Sequence, residues 1–173
     1  MTNLIVQKYG GSSLGTLDQI KFVAKKIKKS LEDSSKIVIV VSAMGSTTDE
    51  LVELGESFLK DNKEIENLRD FDQLLSTGEI ISASLMSMAL RKINVNVISL
   101  TGQKAGIFTD DLHGSARISS IDEKVILSEL KNRDVVIVAG FQGVSEFGEV
   151  TTLGRGGSDT TAVALSSALN AIR

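Results

Sequence analysis

The sequence predicts an α/β protein built on a mostly parallel sheet. Three observations carry that expectation. Residues 36–42 (Lys-Ile-Val-Ile-Val-Val-Ser) and 134–139 (Asp-Val-Val-Ile-Val-Ala) are continuous β-branched apolar runs, as in strands buried on both faces. Segments with apolar residues at helical spacing separate such runs, and this alternation marks parallel α/β architecture. Loops rich in glycine and hydroxyl residues follow the strands, where open α/β sheets hold their ligands.

Taken in order, residues 4–9 are a short apolar strand that runs into Gly10-Gly11-Ser12-Ser13. Leu17, Ile20, Val23, Ala24, Ile27 and Leu31 then recur at helical spacing, with Lys25, Lys26, Lys28 and Lys29 on a solvated face. Residues 36–42 form the second strand, and the loop 43–48 leads to a helix over 49–59. The polar stretch 60–70 reads as a solvated connection. A longer helix over 71–90 carries Leu74, Leu75, Ile81, Leu85, Met86 and Ala89, with Met86 and Met88 as packing residues. Residues 95–100 are the next strand. Residues 102–120 are mixed, compatible with short strands or an exposed hairpin. A helix over 121–132 follows, with Asp122 and Glu123 in its first turn. Residues 134–139 are the third buried strand, running into Gly140-Phe141-Gln142-Gly143, and residues 158–171 are the last helix. That helix reaches Asn170-Ala171-Ile172-Arg173 with neither a glycine stop nor a returning strand, so a truncated domain is expected. No internal repeat is visible.

The bulk properties exclude several function classes. A chain of 173 residues suits one domain with a sizeable core. Apolar residues make up 42% and charged residues 24%, the profile of an ordinary soluble protein. A net charge of −3 and a pI near 5.3 leave no electrostatic footprint for nucleic acid. The absence of cysteine removes disulfides, thiolate metal sites and cysteine nucleophiles. No signal-peptide core or membrane-length apolar run is present, so a cytoplasmic location without a membrane partner is expected. His113 is the only histidine; it makes no metal cluster or catalytic triad alone, and a surface or loop role is expected. No residue is assigned to a metal.

The most specific stretch is Gly154-Arg155-Gly156-Gly157-Ser158-Asp159, which opens the last helix. Glycines let backbone approach a ligand, a helix N-terminus offers free N–H groups, and arginine suits carboxylate or phosphate. Ser158 or Asp159 can alternatively cap the helix, although capping alone does not call for three glycines and an arginine. Lys8-Tyr9-Gly10-Gly11-Ser12-Ser13 places a lysine at a strand end before two glycines, either a phosphate cradle or a plain turn with an exposed lysine. It is not a P-loop, because its lysine lies at the wrong spacing. Ser42, Thr47 and Thr48 can bind a ligand, while Thr48 or Asp49 can cap the following helix. Glu79, after the small-residue break Ser76-Thr77-Gly78, is a candidate for a ligand's ammonium group or an ordinary solvated glutamate.

Together, Lys8-Tyr9-Gly10-Gly11-Ser12-Ser13, residues 42–51, Thr77-Gly78-Glu79, residues 138–143 and residues 152–159 resemble the aspartate kinases of the amino acid kinase family, in family order and over nearly the whole chain. The resemblance implies a three-layer αβα sandwich with a mostly parallel sheet, truncated at the C-terminus. It implies that residues 1–173 are the N-terminal, substrate-binding part of a kinase domain, without the nucleotide-binding remainder or the ACT regulatory domains. A family segment similar to Thr-Asp-Val-Asp-Gly-Val-Tyr is missing. The implied reaction is ATP-dependent phosphorylation of the side-chain carboxylate of L-aspartate, the first step towards lysine, threonine, methionine and diaminopimelate. The implied catalytic residues are Lys8 and Asp159. The implied nucleotide-binding residues are Lys8, Tyr9, Gly10, Gly11, Ser12 and Ser42. The implied substrate-binding residues are Thr47, Thr48, Glu79, Arg155, Gly156, Gly157 and Ser158. ATP, with Mg2+ carried by the nucleotide, and L-aspartate are the implied ligands, and a homo-oligomer is the implied assembly. The isolated chain is expected to be poorly active. A kinase for another small carboxylate such as glutamate, or a self-associating non-catalytic fragment, is the alternative.

Overall fold

The computed structural model describes residues 3–33, 36–59 and 64–172. In chain order the elements are β1 (Leu4–Tyr9), α1 (Leu17–Asp33), β2 (Lys36–Val41), α2 (Thr47–Leu59) and α3 (Ile65–Lys92). They continue with β3 (Val97–Leu100), β4 (Ile107–Thr109), β5 (Ile118–Ile121) and α4 (Glu123–Asn132). Next come β6 (Val135–Ala139), β7 (Gln142–Val144), β8 (Val150–Thr152) and α5 (Gly157–Ala168). A single helical turn, Gly11–Ser13, follows β1.

The main sheet has the order β1-β2-β6-β3, and every neighbouring pair is parallel. The apolar runs exist because strand side chains alternate between two faces and helices cover both. Ile37, Ile39, Val41 and Ile137 pack against Ile20, Val23 and Ile27 of α1 and Met86 and Leu90 of α3. Val38, Val40, Val136 and Val138 point the other way, onto Ile126 and Leu130 of α4 and Leu165 of α5. Each such burial contributes on the order of 2 kcal/mol before chain entropy is set against it. The result is the three-layer αβα sandwich that the family resemblance implies.

A second sheet, ordered β5-β4-β7-β8, is mixed. β4 pairs antiparallel with β5, so residues 102–120 adopt the hairpin option. β4 also meets β7 in parallel, and β7 pairs antiparallel with β8. β7 and β8 escape the sequence reading. Gln-Gly-Val and Val-Thr-Thr are too short to show a period, and they become strands only through pairing with each other and with β4.

Several element boundaries differ from expectation, three of them instructively. Residues 65–70 belong to α3 and are not a connection, because Glu66, Arg69 and Asp70 are ordinary solvent-side helix residues. Residues 60–63 of the expected connection lie outside the described residues. Ile121 ends β5, and Asp122 caps α4 by accepting from the Lys124 N–H at 3.2 Å. The last helix stops at Ala168, where Asn170 turns into the left-handed region at φ 49°.

Candidate active site

Because the main-sheet strands are parallel, their C-terminal ends share one edge. Lys8 lies opposite Val40 in register, and Val41 lies opposite Ala139. The ladder continues past the strands: Ser42 N–H donates to Tyr9 O and Gly140 N–H to Val41 O, both at 3.0 Å. Lys8, Ser42 and the segment after β6 therefore emerge together, at a cleft of about 490 Å3. Lys8, Ser42, Thr48, Glu79, Arg155, Gly156, Gly157, Ser158 and Asp159 all line it.

The N-terminus of α5 opens on this cleft. Gly156 precedes the helix in the left-handed region at φ 74°, a conformation that any side chain would strain. No side chain caps the helix, so neither Ser158 nor Asp159 is used in that way; both sit in the first turn. The Gly157 and Asp159 N–H groups donate to Gly154 O and Gly156 O, so what the helix start offers the cleft is the Ser158 N–H and the positive end of the helix dipole. Lys8 Nζ lies 2.9 Å from Asp159 Oδ1, with the two side chains 27% and 69% exposed. A pair this exposed adds little stability. What it does is fix the direction of the ammonium group. Arg155 is exposed and makes no hydrogen bond or ion pair among the described residues, so its guanidinium is free for a ligand.

Glu79 is the other pole. It is 3% exposed, and its Oε1 accepts from the Ala43 N–H at 3.0 Å. Its Oε2 is buried without a partner among the described residues. Burial pushes its carboxyl up to about 7, against the opposing pull of the Ala43 N–H. The solvated reading of Glu79 is therefore corrected. The residue lies on the inner stripe of α3, which runs through Ser76-Thr77-Gly78 without a break.

Thr47 opens α2, which leaves Thr48 and Asp49 inside its first turn and not in a capping position. Five sequence-named residues, Tyr9, Gly10, Gly11, Ser12 and Thr47, are not among the lining residues. Tyr9 packs against the core cluster on the α1 and α3 side of the sheet, and its hydroxyl donates to Gln7 Oε1 at 3.1 Å. A Cβ on Gly11 would lie 2.7 Å from Ala43 O, so that glycine serves the close approach of two loops. The Ser12 carbonyl accepts from Gln19 Nε2. The Thr47 methyl faces Gly78. Gly10, also outside the lining, sits beside the lysine: a Cβ there would be 3.3 Å from Lys8 Nζ.

The chain matches the amino acid kinase family over residues 3–173. It belongs to that family. It is similar to the aspartokinase of Geobacillus stearothermophilus, with 51% identity over 171 residues, 97% of this chain and 40% of that protein. Aspartate kinase from Synechocystis has a similar structure, with TM-score 0.78 and 46% identity over 96% of this chain and 26% of that one. E. coli aspartokinase III, solved in complex with aspartate and ADP, has TM-score 0.82 at 27% identity, covering 98% of this chain and 48% of that one. The chain therefore spans about two fifths of the curated relative's length.

This amino acid kinase chain also builds its cleft from residues to which sequence reasoning gave no site role: Val52, Phe71, Leu75, Gly114, Phe141 and Thr152, the last two inside segments that carried the resemblance. Phe141 holds φ 67°, rare for a non-glycine residue, and is pinned by its N–H to Thr161 Oγ1 and its carbonyl to the Leu153 N–H. His113 is in a loop as expected. It is not a surface group, because its Nδ1 lies 2.8 Å from the buried Asp72 Oδ2. A signal for Asp72 and Glu79 was present. Both fall on the helical stripe Asp72, Ser76, Glu79, Ala83, Met86 and Leu90, and a carboxylate on an otherwise buried stripe is the informative exception.

Proposed function

We propose that this chain is the amino-acid-binding part of an aspartate kinase, which transfers the γ-phosphoryl group of ATP to the side-chain carboxylate of L-aspartate. One observation carries the reading: a buried carboxylate with a free oxygen, an unpaired guanidinium and an oriented lysine line the same cleft. Glu79 Oε2 suits the substrate's ammonium group, and Arg155 suits its α-carboxylate through a bidentate fork. That leaves the side-chain carboxylate to face the phosphoryl group.

The chemistry needs no general base. A carboxylate with a reference pKa near 3.9 is already a nucleophilic anion at neutral pH. One of its oxygens forms the new bond to the γ-phosphorus as the bond to the leaving ADP oxygen breaks, and the product is an acyl phosphate. The difficulty is bringing two anions together, which calls for fixed positive charge. Lys8 supplies it at the end of β1, with Asp159 holding the ammonium in place. The positive end of the α5 dipole adds to it, and the Gly10-Gly11-Ser12 turn, outside the cleft lining but beside Lys8, is the proposed phosphate cradle. Mg2+ carried by the nucleotide neutralises phosphate oxygens when bound. The setting proposed is cytoplasmic synthesis of the aspartate-derived amino acids, by a homo-oligomer.

The protein as it occurs is to be assayed for aspartate-dependent ADP formation, with glutamate as competitor. Aspartate is expected to be the preferred acceptor. Lys8→Ala is expected to lower turnover about a hundredfold or more, with the melting temperature nearly unchanged. Near-normal turnover in Lys8→Ala counts against its assignment, and an enzyme that prefers glutamate overturns the choice of substrate.

A further inference from the structure

Asp72 is fully buried on α3 and does not itself line the cleft, although its partners Gly114 and Thr152 do. Its carboxylate accepts from the Thr152 hydroxyl of β8 and, at 3.1 Å to each oxygen, from the Gly114 N–H of the β4–β5 loop. His113 Nδ1 lies 2.8 Å away. The Thr152 carbonyl in turn accepts from the Ala116 N–H at 2.9 Å, so one carboxylate ties α3, β8 and that loop into a single unit. One helical turn further on, the Ser76 carbonyl accepts from Gln142 Nε2 at 2.8 Å, a second tie between α3 and the small sheet. Both ties join α3, which carries one charged group of the cleft, to the small sheet, from whose strand β8 the loop carrying another departs. Glu79 follows Asp72 on the same face of the helix, and Arg155 lies in the loop that leaves β8 just after Thr152.

We infer that Asp72 is a positioning residue that sets the span between Glu79 and Arg155. The inference rests on the functional reading above, in which those two groups read the ammonium and the α-carboxylate of the acceptor amino acid. A buried carboxylate is tolerated only when its oxygens are occupied, and here all its partners come from β8 and the adjoining loop. An apolar side chain at this position would also pack α3 against β8, but it would allow sliding. Directional bonds from one carboxylate fix both distance and register. Lys8 and Asp159 are held by β1 and α5, outside this network. Loosening it therefore weakens recognition of the amino acid more than it slows phosphoryl transfer.

The test measures KM and kcat in the protein as it occurs. Asp72→Asn is expected to raise the KM for aspartate about tenfold, with kcat changed by less than about threefold and the KM for ATP by less than about twofold. An unchanged KM for aspartate overturns the inference, as does a fall in kcat as large as the rise in KM. Thr152 supplies a second route should Asp72→Asn fail to fold. Thr152→Val keeps the shape and loses the hydroxyl, whereas Thr152→Ser keeps the hydroxyl and loses a methyl. A larger rise in KM for the valine variant supports the inference, and the reverse order, which a packing role would give, overturns it. A wild-type protein that neither binds aspartate nor forms ADP with it overturns the functional reading, and this inference with it. Wrong behaviour of the variants beside an active wild type overturns this inference alone.

Discussion

Glu79 is where stability and function pull apart. Its carboxyl is raised from 4.5 to about 7 because burial disfavours the charge and one oxygen has no donor. The folded chain then holds a proton that the unfolded chain releases at lower pH. This contribution to stability is fully present below pH 4.5 and is lost as pH rises through 7, amounting to about 3 kcal/mol across that window. Glu79→Gln is expected to melt at a higher temperature than the wild type at pH 8, and to lose this part of the pH dependence. Its affinity for aspartate is expected to fall roughly 10- to 100-fold, the value of one charged hydrogen bond. Wild-type affinity for aspartate should itself weaken below pH 7, as the carboxylate proposed to receive the ammonium becomes protonated. Melting curves at two pH values and a titration with aspartate check all three outcomes; a Glu79→Gln protein with undiminished affinity defeats the assignment.

Among the elements, α3 shows how a sequence signal can be right in place and wrong in meaning. Ser76-Thr77-Gly78 looks like an interruption, yet the helix is continuous. Gly78 is there because the β2–α2 loop passes close by: a Cβ would sit 2.8 Å from Ala43 Cβ. The same loop donates the Ala43 N–H to Glu79, so its distance from α3 sets that hydrogen bond. Gly78→Ala is therefore expected to destabilise the fold by about 1–3 kcal/mol, the usual size of an overpacking effect. It should also weaken aspartate binding, unlike an alanine at an exposed helical site such as Ser84, which should be near neutral. Chemical denaturation of the two variants compares them directly. Strands β2 and β6 were legible because a strand buried on both faces carries its own apolar signature. β7 and β8 were not, since three residues with two polar members become strands only beside the right partners.

For the molecule as a whole, the described residues form two packed faces around one sheet, so the 173-residue chain has the core of a folding unit. It spans 40% of the Geobacillus relative. On its own it is expected to bind L-aspartate measurably, to bind ATP weakly and to turn over slowly. Normal turnover by residues 1–173 alone in a coupled assay contradicts that expectation. Most of the candidate site was legible as local chemistry: a lysine at a strand end, a glycine-arginine loop and a helix start. The alternation of apolar strands with amphipathic helices, and so an α/β fold on a mostly parallel sheet, was determined by the sequence alone, because periodicity is a property of neighbours along the chain; the three-layer arrangement came from the family resemblance. Only the tertiary structure decided that Glu79 is buried with a free oxygen and that Asp72 joins α3 to β8. The bond from Thr152 to Asp72 connects residues 80 positions apart, and no local pattern specifies which distant donor a buried carboxylate will meet.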